Sequence, residues 1–275
     1  CYNDIAQYTR TLKGALETPY KPYEHLGLKD SQGNYQQLTT NLLQIENEFY
    51  SPIRPKRTAA SGETPLDALH DKGVEYIEVR CVDLNPLAAC GIDRETIYFL
   101  DTFLLFCLLK DSPKTNNNEY QQITENQRRT VADGRNPDLE LVDGDQPRKL
   151  VDWGLDLVAE MQSVAALLDK ANNTDEYCAT LARMGERLQN NSLTPAAMLL
   201  NEMQEQNETY YRMAMRKAVE HREYFRNQKL APEVIEKYQH LAAQSQLEQL
   251  QIEAADSISF DDFLAAYYHR DSLVT

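Results

Sequence analysis

A short stretch, Val74–Asp83, constrains the fold of this chain more than any other part of the sequence. It reads Val-Glu-Tyr-Ile-Glu-Val-Arg-Cys-Val-Asp, and its β-branched, alternating composition predicts a strand. Because successive side chains of a strand point to opposite faces, Glu78 and Arg80 are expected side by side on one face. The other face is mostly apolar, so the strand should be half-buried.

Two interpretations of the Glu78–Arg80 pair are open at this point. A carboxylate and a guanidinium on a half-buried strand are costly unless something charged binds there, such as a metal, a phosphate or a substrate. Alternatively, the two residues form an ion pair within the strand on a solvated face, which contributes little to stability. Their spacing alone favours neither interpretation.

A second segment, residues 41–57, carries apolar residues that fit a helix in one alignment and a strand in another. We predict a strand. Its even face would then carry Glu46, Glu48 and Tyr50, so that acidic and phenolic groups line one side, as in the first strand.

The end of this segment is basic and extended. Arg54 lies between Pro52 and Pro55, and Lys56 and Arg57 follow. Proline fixes its own backbone and disfavours helix in the residue before it. The basic residues either occupy a solvated turn or face nucleotide phosphates, and both interpretations are open.

From Asp93 onward the sequence is dominated by helical patterns. Ile97–Lys110 is apolar nearly all round and predicts a central buried helix, while Leu150–Lys170 is strongly amphipathic. Asp138–Arg148 between them is predicted to be an acidic loop. Thr194–Asn227 is predicted to be one long helical run that begins at a capping threonine and a proline.

These patterns predict an α+β fold. We expect antiparallel strands within residues 35–86, backed by helices, and a mostly helical C-terminal region after them. We divide the chain into a sheet portion, residues 1–92, and a helical region, residues 93–275, packed on the sheet as one continuous domain.

Composition excludes several classes of function. The formal net charge of −15 argues against a nucleic-acid or anionic-membrane surface, which needs a basic stripe. The most apolar run, Ile97–Leu109, is shorter than the roughly 20 residues that a bilayer requires. The five cysteines and five histidines lack metal-site spacing, which favours free thiols in a reducing cytosol. No glycine-rich dinucleotide motif, P-loop or nucleophile elbow is present in the sequence.

Several segments resemble the bacterial glutamate-cysteine ligases of the proteobacterial type, also called γ-glutamylcysteine synthetases. The closest are Gln44–Arg57, reading Gln-Ile-Glu-Asn-Glu-Phe-Tyr-Ser-Pro-Ile-Arg-Pro-Lys-Arg, and Gly73–Pro86, which contains the first strand. Ser61–Leu69 and Asp133–Pro137 are similar to the family as well, and Glu253–Asp256 matches loosely.

The resemblance runs from about residue 3 onward and weakens after Leu150. It implies that the chain is the C-terminal portion of such an enzyme, without the N-terminal part that holds further metal-binding acidic residues and much of the glutamate site. On that basis we expect the isolated chain to be inactive.

The resemblance also implies an activity. The family uses ATP to phosphorylate the γ-carboxylate of glutamate, and the cysteine amine then displaces phosphate in the first step of glutathione synthesis. The implied fold contains a sheet distantly related to that of glutamine synthetase, folded around Mg²⁺ or Mn²⁺. The implied small-molecule partners are glutamate, cysteine and ATP, and the implied location is cytoplasmic.

Specific residues take roles from the same resemblance. Glu78 falls on a metal ligand, Arg80 on the catalytic arginine that contacts the transferred phosphoryl group, and Tyr50 on the tyrosine of the cysteine pocket. Asn47 and Arg54 are assigned to substrate binding. These residue types suit the chemistry, because phosphoryl transfer between anions depends on positioning and on charge neutralisation.

Two alternatives remain beside this interpretation. The enzyme could join glutamate to a different amine, or the chain could be a noncatalytic helical module whose acidic helices bind a basic partner. Glu78 and Arg80 would form a surface pair in the second case. The sequence leaves the oligomeric state open.

Overall fold

The computed structural model describes residues 2–60 and 63–268. Cys1, Ser61, Gly62 and His269, which entered the sequence-based interpretation, lie outside these ranges. No helix within them is both long enough and apolar enough to span a bilayer.

The secondary structure is mostly helical, with two small antiparallel sheets. Within the described residues the α-helices are α1 (Ile5–Glu17), α2 (Lys21–Leu26), α3 (Pro65–Lys72), α4 (Arg94–Leu109), α5 (Asn117–Asp133), α6 (Leu150–Asn172), α7 (Glu176–Gln189), α8 (Pro195–Glu205), α9 (Tyr210–Arg226), α10 (Pro232–Ala255) and α11 (Phe260–Tyr268). The strands are β1 (Ile53–Lys56), β2 (Tyr76–Val79), β3 (Glu140–Asp143) and β4 (Gln146–Lys149). This composition confirms the predicted α+β class.

Contacts between Cα atoms divide the chain into two compact units. The first unit is Cys1–Val82 together with Lys229–Thr275, and the second unit is Asp83–Gln228. The helices α10 and α11 thus group with the unit that holds β1 and β2. The sheet-plus-helix division that we place between residues 92 and 93 stays a prediction.

The core of the first unit lies where α1 packs against α3. Tyr8 and Leu12 of α1 are buried against Leu66 and Leu69 of α3. The partly buried ring of Phe49 packs edge-on against Tyr8. This small core fixes the segments on either side of β1.

The strand that we predict over Val74–Asp83 is confirmed in its centre and is shorter than expected. Gly73 ends α3 with a φ of 72°, a left-handed value that favours glycine, and β2 follows directly. β2 pairs with β1 in antiparallel register, so that Arg54 lies opposite Glu78.

The strand that we predict over residues 41–57 is wrong for most of its length. Glu46–Glu48 forms one turn of 3₁₀-helix, and only Ile53–Lys56 is a strand. The carboxylate of Glu48 accepts a hydrogen bond of 2.6 Å from the backbone nitrogen of Gln44. This local side-chain bond supports the turn and competes with sheet pairing.

The predicted sheet between residues 35 and 86 is likewise reduced to β1 and β2. Residues 19–41 contribute two isolated bridges, Pro19↔Asn41 and Lys29↔Tyr35, to the described structure.

The second unit has its core where α4, α6 and α7 meet. The buried side chains of this cluster are Phe106, Met161, Val164, Ala165, Tyr177 and Leu181. Glu95 of α4 forms ion pairs with both Arg183 and Arg187 of α7, which ties the two helices together at one end.

Three predictions for the second unit need correction. α4 is not buried all round, because Leu108 is 80% exposed and Leu109 is 65% exposed. The predicted acidic loop is the hairpin β3–β4, closed by a two-residue turn in which Gly144 has a φ of 64°. The long run after Thr194 is broken between α8 and α9, where Asn207 adopts a left-handed φ of 50°.

Candidate active site

Three of the predicted site residues meet beside the β1–β2 pair. The guanidinium of Arg80 donates a hydrogen bond of 3.0 Å to the carboxylate of Glu78. Its carbon atom lies 4.9 Å from the centroid of the Tyr50 ring, within cation–π range. The backbone nitrogen of Arg80 donates to the carbonyl of Pro52 at 2.7 Å, which holds the end of the strand in place.

Glu78 lies among cations. Besides Arg80, the ammonium of Lys56 lies 3.8 Å from its carboxylate. The hydrogen bond from Arg80, and then the charges of Arg80, Lys56 and Arg54, lower the pKa of the Glu78 carboxyl. The same hydrogen bond raises the pKa of the Arg80 guanidinium. Both groups therefore stay charged at neutral pH.

Sequence reasoning missed Lys56 as a neighbour of Glu78. The two residues lie diagonally across the strand pair, since Lys56 pairs with Tyr76 and Arg54 pairs with Glu78. Only the register of β1 against β2 reveals this contact, and the sequence did not predict that register.

Arg54 is buried rather than solvated. It is only 5% exposed, so the solvated-turn interpretation is wrong. Its guanidinium donates a hydrogen bond of 3.3 Å to the carbonyl of Glu46, and its Nε atom has no hydrogen-bond partner among the described residues. A direct contact between Arg54 and a substrate stays a prediction.

The residues of the 3₁₀ turn point in different directions. Glu46 is buried, whereas Asn47 and Glu48 are exposed and Tyr50 is 79% exposed. The predicted common face of Glu46, Glu48 and Tyr50 is therefore wrong. Asn47 and Tyr50 are available to a ligand, while Glu46 is turned inward.

The described residues do not form a complete magnesium site. Nowhere in residues 2–60 and 63–268 do three or more His, Cys, Asp or Glu side chains come close enough to hold a metal ion. Glu78 is a suitable oxygen ligand, but it is already paired with Arg80 and Lys56.

The fold agrees with the comparisons to known proteins. The family model described as glutamate-cysteine ligase matches residues 1–130. Over those residues the chain is therefore similar to the glutamate-cysteine ligase family.

Individual relatives make the relationship specific. The chain is 42% identical over 272 residues to the glutamate–cysteine ligase of Alcanivorax borkumensis, covering 98% of this chain and 52% of the relative. It is 43% identical to the Pseudomonas aeruginosa enzyme of the same name, covering 97% and 50%. The crystal structure of the Francisella tularensis glutamate–cysteine ligase in complex with AMP matches with a TM-score of 0.89 and 32% identity, covering 98% of this chain and 53% of that chain.

The chain is thus a homologue of the proteobacterial glutamate-cysteine ligases along nearly its whole length, which confirms the resemblance seen in the sequence. It spans about half the length of the relatives that it matches.

Proposed function

We propose that the chain is part of a glutamate-cysteine ligase, which uses ATP to join the γ-carboxylate of glutamate to the amine of cysteine through a γ-glutamyl phosphate. The observation that carries this proposal is the contact of Arg80 with both Glu78 and Tyr50. These are three residues to which the family resemblance gives roles in one reaction, and the structure brings them together.

Arg80 is the proposed catalytic residue. Its guanidinium offers several donors in a fixed plane, which suits the oxygens of a phosphoryl group in transit between two anions. Its ion pair with Glu78 and its contact with the Tyr50 ring hold the guanidinium in place before substrate arrives. Positioning of this kind lowers the reorganisation needed in the transition state.

Tyr50 is the proposed wall of the cysteine pocket. Its ring is largely exposed, and a phenol provides both an apolar surface and a hydrogen-bonding group. Asn47, exposed in the preceding turn, is proposed to bind substrate next to it. Arg54, whose buried charge lies opposite Glu78, is also proposed to take part in substrate binding.

Glu78 is the one residue that we propose as a ligand of Mg²⁺ or Mn²⁺. Since the described residues lack a complete site, the remaining ligands would come from phosphate oxygens of the nucleotide, from water or from other polypeptide. The roles given to Arg80 and Tyr50 do not depend on the ion.

Two further parts of the proposal have indirect support. The AMP complex of the Francisella tularensis relative supports nucleotide binding. A cytoplasmic location is consistent with Cys81, Cys90, Cys107 and Cys178, the cysteines in the described ranges, which are free thiols.

The test is an assay of ADP release with ATP, glutamate and cysteine, using a polypeptide extended to the length of the relatives. We expect turnover that requires cysteine. Replacing cysteine by other amines in the same assay separates this activity from ligation to a different acceptor. ADP release that no amine stimulates would contradict the proposal.

A further inference from the structure

Glu46 is a buried carboxylate without an ion pair. Its side chain is 3% exposed, and Tyr267 of α11 donates a hydrogen bond of 2.8 Å to its Oε2 atom. None of the ion pairs in the described part of the chain includes Glu46, and Arg54 bonds its carbonyl rather than its carboxylate. A buried unpaired carboxylate is costly, so its retention points to a cation that binds there.

Glu46 lines a cavity of about 720 Å³ within the first unit. This volume is typical of small-molecule sites. The cavity is partly apolar, with leucine side chains and two tyrosine rings among its walls. These are Leu16, Leu28, Leu38, Leu66, Tyr267 and Tyr268.

The charges around the cavity are mainly negative. Besides Glu46, the carboxylates of Glu17 and Asp67 line it, against the single ammonium of Lys13 among the described lining residues. Lys13 is itself paired with Glu17 at 3.9 Å. An anionic ligand would be repelled here, and a cation would be attracted.

The tyrosines add a second means of holding a cation. Tyr267 fixes Glu46 through its hydroxyl, and the hydroxyl of Tyr268 donates to the carbonyl of Gln44 at 2.8 Å. With their hydroxyls fixed in this way, both rings border the same cavity as the carboxylate. An ammonium group is stabilised both by a carboxylate and by the face of an aromatic ring.

We propose that this cavity binds a small primary amine in its ammonium form, with the charge at Glu46 and an alkyl body against the leucines. The ligase proposal assigns no role to Glu46 or to α11, so the two proposals stand or fall separately.

Hexylammonium is the probe, and hexan-1-ol is its neutral counterpart. Isothermal titration of the 275-residue chain should show hexylammonium binding at least about tenfold tighter than hexan-1-ol, as expected for one charge-assisted hydrogen bond. Glu46→Gln keeps the shape and the acceptor for Tyr267, and it should remove this preference while hexan-1-ol binding stays unchanged. The matched control is Glu233→Gln, an exposed glutamate of α10 that does not line the cavity, for which we expect less than a twofold change.

A second variant tests the cavity independently in case Glu46→Gln does not fold. Leu38→Trp narrows the cavity without changing its charge, and it should weaken binding of both probes while the far-ultraviolet circular dichroism stays native. The proposal is overturned by equal affinity for the two probes, by no binding of hexylammonium to the unmodified chain, or by unchanged binding in a folded Glu46→Gln protein. A lower Tm of Glu46→Gln with unchanged binding would show that Glu46 is structural only.

Discussion

Arg80 is held by Glu78, by the Tyr50 ring and by its own backbone bond to Pro52. In a polypeptide extended to the length of the relatives, we expect Arg80→Ala to reduce the rate of ADP release by roughly 10³-fold or more. The denaturation midpoint should hardly change, because the ion pair is accessible to water.

The control for this experiment is Arg128→Ala. Arg128 is also an ion-paired arginine, but it lies on the exposed face of α5 and pairs with Glu125 three residues earlier. Arg128→Ala should leave the rate of ADP release unchanged. If Arg80→Ala and Arg128→Ala are equally active, the role proposed for Arg80 is wrong.

Arg54 differs from Arg80 because it is buried. Arg54→Ala removes a hydrogen bond to the carbonyl of Glu46 and leaves buried polar groups without a partner. We expect the free energy of unfolding to fall by about 2–4 kcal/mol, measured by urea denaturation. A loss below about 0.5 kcal/mol would show that Arg54 is not part of the core.

Tyr268 provides a prediction for alkaline pH. Burial, followed by the charges of Glu48 and Glu46, raises its pKa from 10.0 to about 12. The folded chain therefore holds this proton more tightly than the unfolded chain. The corresponding stabilisation, at most about 2 kcal/mol, is complete below pH 10 and is lost between pH 10 and 12.

Spectroscopic titration of tyrosinate tests this prediction directly. The unmodified chain should show one more late-titrating phenol than Tyr268→Phe, and the variant should lose part of the stability change between pH 10 and 12. Identical titration curves for the two proteins would contradict the assignment.

At the level of elements, Gly154 of α6 lies against Leu188 of α7. A Cβ atom added there would lie 2.7 Å from Cδ2 of Leu188. Since the neighbour is the end of a flexible side chain, we expect Gly154→Ala to lower the free energy of unfolding by about 1–2 kcal/mol rather than to prevent folding.

Gly14 in α1 is the matched control, because nothing lies within 4 Å of a Cβ atom added there. Gly14→Ala should raise the free energy of unfolding by about 0.5–1 kcal/mol through helix propensity alone. Thermal denaturation of both variants, followed by circular dichroism, should give Tm shifts of opposite sign.

The same elements show what sequence reasoning can reach. A helix with clear periodicity, such as α6, lies close to where the pattern places it. The Glu78–Arg80 contact also follows from strand alternation alone. The turn at Glu46–Glu48 was not predicted, because the apolar residues of this segment fit a helix and a strand equally well. The turn is supported instead by a hydrogen bond from the backbone nitrogen of Gln44 to the Glu48 carboxylate.

The hairpin β3–β4 was missed for a different reason. Its residues are acidic and polar, so the hydrophobic pattern is weak, and the useful signal was the Gly144-Asp145 pair that forms the turn. Burial of Arg54 was also out of reach, since the proline-flanked sequence fits a solvated turn equally well. For Arg54, long-range packing rather than local preference determined the outcome.

For the whole molecule, we expect the 275-residue chain alone to release no ADP in the presence of ATP, glutamate and cysteine. Its described residues provide Glu78 but no complete metal site, and the chain spans about half the length of its relatives. Turnover by this chain alone, abolished by Arg80→Ala, would contradict the expectation.

The pair of strands β1 and β2 has a consequence for how such a molecule could be followed in solution. Within the described ranges each of these four-residue strands is hydrogen-bonded to the other and to no further strand. Backbone amides that face the partner strand should exchange slowly with deuterium, and amides on the two outer edges should exchange quickly. If another part of a ligase pairs with these outer edges, their amides should exchange more slowly once that part is added. Hydrogen–deuterium exchange would then identify the amides that take part in the new pairing.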